Sequence, residues 1–202
     1  MDVSEAKDAT GTGPGRSSHT YGTGRDALLA AAVRVVAERG LRNLTYRAVA
    51  REAGVTHGLV THHFGTRETL LSEALRYSLD HSVPGITDDP GAGRIEALFT
   101  GLARLVADEP ETQAFQYELT LESRRNPALR PHVYELYNSY RKALRSELDA
   151  VGLAGDRLGH LVFAALDGLV FQQVCGVNEI STEDALTELR RILELLRERA
   201  RR

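Results

Sequence analysis

Between residues 56 and 67 the chain gathers side chains that make directed hydrogen bonds: Thr56, His57, Thr61, His62 and Arg67. Hydroxyls, imidazoles and a guanidinium in so short a stretch suit base edges and phosphate oxygens. The same histidines are poorly spaced for a metal. His57 and His62 are five residues apart and His62 and His63 are adjacent, whereas neighbours on one helical face stand three or four apart. Elsewhere the catalytic signals are missing. The chain has no G-x-S-x-G elbow, no phosphate-binding glycine loop and no H-E-x-x-H pair, so hydrolase, nucleotide-dependent and zinc-peptidase chemistries lose their anchors. No catalytic residue, metal or cofactor is expected. Cys175 is the single cysteine, which excludes an intramolecular disulfide and leaves a small buried thiol as its expected role. Glu118 and Glu122 stand one helical turn apart and could face a cation, but with Arg124 and Arg125 close by they read more simply as solvated charges.

The element that must position the first group is Thr45 to Phe64, TYRAVAREAGVTHGLVTHHF. Ala50 is small enough for a second helix to approach, and Gly54 can take the positive φ of a sharp turn. Val49, Ala53, Val55 and Val60 are expected to form the shared core. Thr56 comes after the turn as N-cap. The spacing predicts a helix-turn-helix whose second helix enters a major groove N-terminal end first. Thr45, Tyr46, Arg47 and Arg67 would then fix phosphates, while Thr56, His57, Leu59, Thr61 and His62 meet bases, with Leu59 placed for a thymine methyl.

This stretch, together with the chain beyond it, resembles the tetracycline-repressor (TetR) family of bacterial transcription regulators. The AGVSxGxLYxHFxxKExL pattern of that family is matched by Ala53, Gly54, Val55, Thr56, Gly58, Val60, His63, Phe64, Arg67, Glu68 and Leu70. Thr61 stands where the family usually carries a phosphate-contacting tyrosine, and Arg67 replaces the usual lysine. The resemblance runs from about residue 25 to the C-terminus. It implies a homodimeric repressor of a palindromic double-stranded DNA operator, released by a small-molecule ligand and dimerised through its last two helices.

Composition fits a helical regulator of 202 residues with 42% apolar content. Charge is uneven: residues 22–79 carry eight arginines against five acids, or +3, and the remainder carries −6. No run of eighteen apolar residues and no signal segment are seen, so a cytoplasmic protein with no membrane partner is expected. Residues 1–21 read as a polar tail, 22–80 as the DNA-binding domain and 81–202 as a ligand-binding and dimerisation domain. Glycines and prolines separate periodic apolar segments, which predicts an all-α fold of about nine helices. These run over 25–39, the two motif helices, 68–80, 94–108, 111–124, 128–151, 156–176 and 182–200, with a loop around Pro84, Gly85 and Pro90.

Mixed apolar and polar residues on the middle helices suggest a ligand chamber. Phe99, Leu102 and Val106 would form one wall and Phe115, Glu118, Leu119 and Glu122 another. Tyr134, Tyr137 and Tyr140 would supply a third, closed by Phe163, Asp167, Val170 and Phe171. Phenols suit amphiphilic ligands. Asp167, an acid within an apolar helix, needs a partner: a loop, the other subunit or a ligand amine. Small residues Ala164, Ala165 and Gly168, together with Leu186, Leu189, Leu193 and Leu196 on the last helix, are expected to form the dimer seam. Two other classes stay open: a helical small-molecule binder without DNA-binding activity, and an α-helical enzyme using Asp167 or Glu118.

Overall fold

A computed structural model describes residues 19–86, 99, 107–108 and 110–200. Among them lie eight α-helices: α1 (His19–Arg39), α2 (Tyr46–Glu52), α3 (His57–Phe64), α4 (Arg67–Ile86), α5 (Pro110–Glu122), α6 (Arg130–Ala150), α7 (Asp156–Cys175) and α8 (Thr182–Ala200). Two 3-10 turns, Leu41–Asn43 and Pro127–Leu129, come after α1 and before α6 respectively. The described residues contain no strand, and the fold is all-α. The helix expected over 94–108 falls outside the described residues except for Phe99 and residues 107–108, and Leu102 and Val106 fall outside them too.

Two helix ends differ from the sequence reading. α1 begins at His19, six residues before Arg25, and takes in the last residues of the expected tail. α4 runs through Pro84 and Gly85 to Ile86, where a loop was expected. Pro84 removes the donor to the Asp80 carbonyl, the ring of a helical proline crowds the carbonyl it leaves unbonded, and the helix ends two residues later.

The apolar stripe of α1 (Leu28, Leu29, Ala32, Val33 and Val36) is buried against α2, α3 and α4. Val49, Ala50, Val60, Phe64, Leu70, Leu71 and Leu75 belong to the same cluster. So do Phe115 and Leu119 of α5, both fully buried. That placement corrects the ligand-wall reading of these two residues: they are packing groups that complete the core beneath the helix-turn-helix. Each such burial contributes about 1.5–3 kcal/mol. A second cluster joins Phe99, Leu144, Leu148, Val162, Leu166 and Val170 with Leu186 and Leu193 of α8. Between the two clusters lies Tyr140, which packs against both.

A candidate nucleic-acid interface and an interior polar centre

Backbone hydrogen bonds close the turn between α2 and α3. The Val55 N–H donates to the Ala50 carbonyl at 2.9 Å and the Gly54 N–H to the Arg51 carbonyl at 3.3 Å, the two bonds of a Schellman motif. Gly54 sits at φ +68°, a conformation that strains any residue bearing a β-carbon. Val49, Ala50 and Val60 are buried as expected, but Val55 is 37% exposed because it lies just past the helix end and turns outward.

The outward side of α3 presents Thr56, His57, Leu59, Thr61 and His62, all exposed. Thr56 occupies the N-cap with extended backbone, yet its side chain makes no capping bond. Thr61 Oγ1 donates to the His57 carbonyl at 3.2 Å, within its own helix. One helix earlier, Thr45 Oγ1 accepts from the Ala48 N–H at 3.1 Å and caps α2. Arg47 is exposed beside it. The Tyr46 ring meets the His57 ring edge-on at 5.9 Å, and its hydroxyl, expected to reach a phosphate, is shielded from solvent without a hydrogen bond. Tyr46 therefore supports His57 from behind. Burial, reinforced by His62 and Arg25, lowers the pKa of His63, which keeps that ring neutral at physiological pH.

Arg67 is built into the framework as well as lying at its surface. Its Nε donates to the Leu44 carbonyl at 3.0 Å and its Nη2 to the Leu41 carbonyl at 2.9 Å, fastening the first 3-10 turn to the head of α4. α5 grips the same turn from the other side. Arg42 lies 3.9 Å from Glu122, which also pairs with Arg125 at 3.0 Å. Glu118 stands 3.5 Å from the point where a β-carbon on Gly40 would sit. Glu118 and Glu122 thus face the turn after α1, and their assignment to a ligand wall is corrected accordingly.

A polar centre fills the space among α4, α5, α6 and α7. Ser78 and Ser82 of α4 are fully buried, and Gln116 Nε2 donates to both hydroxyls at 3.2 Å. The Tyr140 hydroxyl reaches Ser82 Oγ at 2.7 Å and donates to Gln116 Oε1 at 2.8 Å. Gln113 lies beside Tyr140, 5% exposed, and its Nε2 completes no hydrogen bond. Next to this group the Tyr117 hydroxyl reaches the Asp167 carboxylate at 3.1 Å and its backbone carbonyl at 2.9 Å. Tyr137 also meets Asp167, as well as Thr120. Burial raises the Asp167 pKa against the opposing pull of these phenols and of Arg141. Burial likewise raises Tyr117, Tyr137 and Tyr140.

Aromatic rings enclose the centre. Phe171 packs edge-on against Tyr117 at 5.0 Å and Phe163 against Tyr137 at 5.6 Å. The Arg141 guanidinium lies 5.4 Å from the Tyr137 ring centre and 5.2 Å from that of Phe163. Its Nε is enclosed and unbonded. Of the expected chamber residues, the structure brings together Tyr137, Phe163, Asp167 and Phe171, while Phe99 and Val170 pack in the second core cluster. Tyr134 is 70% exposed and lies outside the centre, because it falls on the solvent side of α6. Sequence reading missed Tyr117, Gln113, Gln116, Ser78 and Ser82. A signal was present for the serines: positions 71, 75, 78 and 82 continue one buried stripe, and its last two members are polar.

The seam expected on α7 and α8 is also rearranged. Leu186 and Leu193 are 2% and 1% exposed within the chain's own core, so they cannot form a face toward another molecule. The three-four spacing of their leucines served the internal contact instead. Outward-facing apolar groups are Leu161, Ala164 and Ala165 on α7, with Ile192, Leu195 and Leu196 on α8; Phe171 is 40% exposed at the edge of the polar centre, and Cys175, expected to be buried, is exposed at the last turn of α7. Gly168 is half-buried and Leu189 partly buried against the second cluster. A β-carbon on Gly168 would meet nothing within 4 Å. With a mean hydropathy of 1.4 along an 18-residue stretch, α7 has the length and composition of a membrane span, the one such helix among the described residues.

An all-helical chain with an N-terminal helix-turn-helix over a shared core defines a class of transcription regulators, and comparison places it more closely. Residues 28–74 match the model of the bacterial regulatory proteins of the tetR family, and residues 93–196 match the tetracyclin repressor-like C-terminal domain. The chain belongs to the TetR family of transcriptional regulators. It is 32% identical over 182 residues to the HTH-type transcriptional regulator BetI of Rhizobium meliloti (strain 1021), covering 81% of this chain and 85% of that one. A solved TetR-family member from Streptomyces coelicolor A3 is 29% identical with a TM-score of 0.65, over 83% of this chain and 96% of that one. The multidrug binding protein EbrR, solved with imidazole, is 28% identical with a TM-score of 0.60, over 83% and 93% respectively.

Proposed function

We propose that this TetR-family regulator is a homodimeric repressor that binds a palindromic operator and is released by a small molecule held in its interior polar centre. The observation that carries this reading is the continuity of the structure from Asp167 to the DNA-facing helix. Tyr117 ties α5 to Asp167, Gln116 ties α5 to Ser78 and Ser82 of α4, and Arg67 at the other end of α4 holds the turn that precedes α2. An occupant that repositions α5 would move α4 and change the separation of two α3 helices. It would do so only through a difference in affinity for the two conformers.

The domains are proposed as residues 22–80 for DNA and 81–202 for ligand and dimer contacts. The face formed by Leu161, Ala164, Ala165, Gly168, Ile192, Leu195 and Leu196 supports pairing of two copies, and that pairing would account for the apolar surface of α7 in a cytoplasmic protein. A repressor role, release by ligand and non-enzymatic action belong to the same proposal.

Selection of bound fragments from genomic DNA and then gel retardation test it. Inverted half-sites with centres about 10–10.5 base pairs apart, or a multiple of that, are expected. Combined His57→Ala and Thr61→Ala substitution should relax base preference. Retention of no fragment at low salt, or an unchanged preference in the double variant, would overturn the reading.

A further inference from the structure

We propose that the interior centre takes a ligand whose polar end is a hydrogen-bond acceptor, an apolar monocarboxylate, with Gln113 Nε2 and Arg141 Nε as the donors that receive it. The inference deepens the ligand-responsive function proposed for this centre and rests on it. Its basis is an imbalance between donors and acceptors. Gln116 Oε1 already accepts from Tyr140, the Ser82 hydroxyl is engaged by Gln116 and Tyr140, and Asp167 already receives the Tyr117 phenol. Two donors here lack a hydrogen bond of normal geometry: Gln113 Nε2, which is turned toward the Tyr140 hydroxyl without closing a full bond to it, and Arg141 Nε. A buried donor without an acceptor is unfavourable by itself, so an incoming carboxylate oxygen relieves a cost that an incoming ammonium would leave in place.

Charge points the same way. Arg141 is held over the faces of Tyr137 and Phe163, which occupies the ring surfaces that an organic cation would seek. No carboxylate closes an ion pair with Arg141 among the described residues; its charge acts on Asp167, which the two phenols hold, so an anion seated nearer to the guanidinium than Asp167 gains more from it. The phenols that hold Asp167 turn its carboxylate into part of the wall. Phe163 and Phe171 supply apolar surface for the ligand's body. At the far side of Tyr140, Gln116 links the same centre to Ser78 and Ser82, so a carboxylate drawn to Gln113 acts one contact away from α4.

The test is titration calorimetry on the full chain without DNA. The probes are decanoate and 4-phenylbutyrate, below any micellar concentration, against decyltrimethylammonium and 4-phenylbutylammonium. At least one carboxylate should bind saturably, and the matched cation should bind at least tenfold more weakly. Gln113→Leu and Arg141→Met should each weaken carboxylate binding by about tenfold or more, the scale of a lost hydrogen bond to a charged group. Gln113→Glu, which replaces the donor by an acceptor of the same shape, should abolish it. Circular dichroism of each variant establishes that it folds, and Tyr134→Phe, outside the centre, should leave binding unchanged. Tighter binding of the cations, binding of neither carboxylate, or carboxylate binding indifferent to both folded variants would overturn the assignment. Gel retardation of operator DNA by the ligand-free chain is read separately: no retardation with carboxylate binding intact overturns the regulator reading alone, and retardation with no carboxylate binding overturns the ligand class alone.

Discussion

Tyr140→Phe removes one oxygen from the centre of the molecule, and its cost is set by what that oxygen bonds. The hydroxyl donates to Gln116 Oε1 at 2.8 Å and meets Ser82 Oγ at 2.7 Å. Ser82 keeps other partners, because it donates to the Ser78 carbonyl and accepts from Gln116 Nε2. Gln116 Oε1 loses the bond from Tyr140, and Gln116 is only 4% exposed, so water cannot take its place without opening the core. A buried acceptor stripped of its donor costs about 1–3 kcal/mol. For a chain of this size each kcal/mol lowers the melting temperature by about 2–4 °C. Urea denaturation should show a reduced midpoint at unchanged slope. In a Gln116→Leu background the same Tyr140→Phe change no longer orphans an acceptor, and the two losses should fall short of additive by about 0.5–3 kcal/mol. A single-variant loss below about 0.5 kcal/mol, or additivity within that margin, would refute the assignment of Tyr140 and Gln116 to one cooperative network.

Three further outcomes are expected. Arg67→Met, which deletes two charged donors to backbone carbonyls, should lower stability by about 1.5–3 kcal/mol in urea and weaken operator binding too; a loss confined to DNA affinity would mean that the clamp is not structural. Leu161→Glu with Leu195→Glu should yield folded monomers in light scattering, whereas Leu193→Ala should cost about 2–5 kcal/mol and leave the oligomeric state alone. Asp167 has a folded pKa raised above its ordinary 3.8, so its protonated form favours the fold and stability falls as pH rises from there through the raised value. Asp167→Asn, which keeps an acceptor for Tyr117, should flatten that part of the pH–melting-temperature profile; an unaltered slope would refute the link.

How much of this was legible in the sequence depends on the range of the interaction. Gly54 and the helix-turn-helix could be read because a Schellman turn and its flanking small residues are local. Helix order could be read for the same reason. Leu186 and Leu193 could not be assigned to core or seam, since a three-four spacing states that a helix has an apolar stripe and not which neighbour covers it. Phe115, Leu119, Glu118 and Glu122 were misplaced for a related reason: one side of α5 faces α1 and the turn after it, a pairing made across about eighty residues of chain. Gln113, Gln116, Ser78 and Ser82 are unremarkable polar residues singly, and only their convergence from two helices makes them a centre.

The position of Phe115 and Leu119 beneath α1 has a consequence for anyone reprogramming this regulator. A graft that carries residues 22–80 into another scaffold leaves behind side chains that complete their core, so the transplanted piece would arrive with an exposed apolar floor. Chimeras would need to keep α5 with the reader, or confine changes to the solvent side of α3, where Thr56, Leu59 and Thr61 are exposed, while His57 and His62 carry ring contacts to Tyr46 and His63.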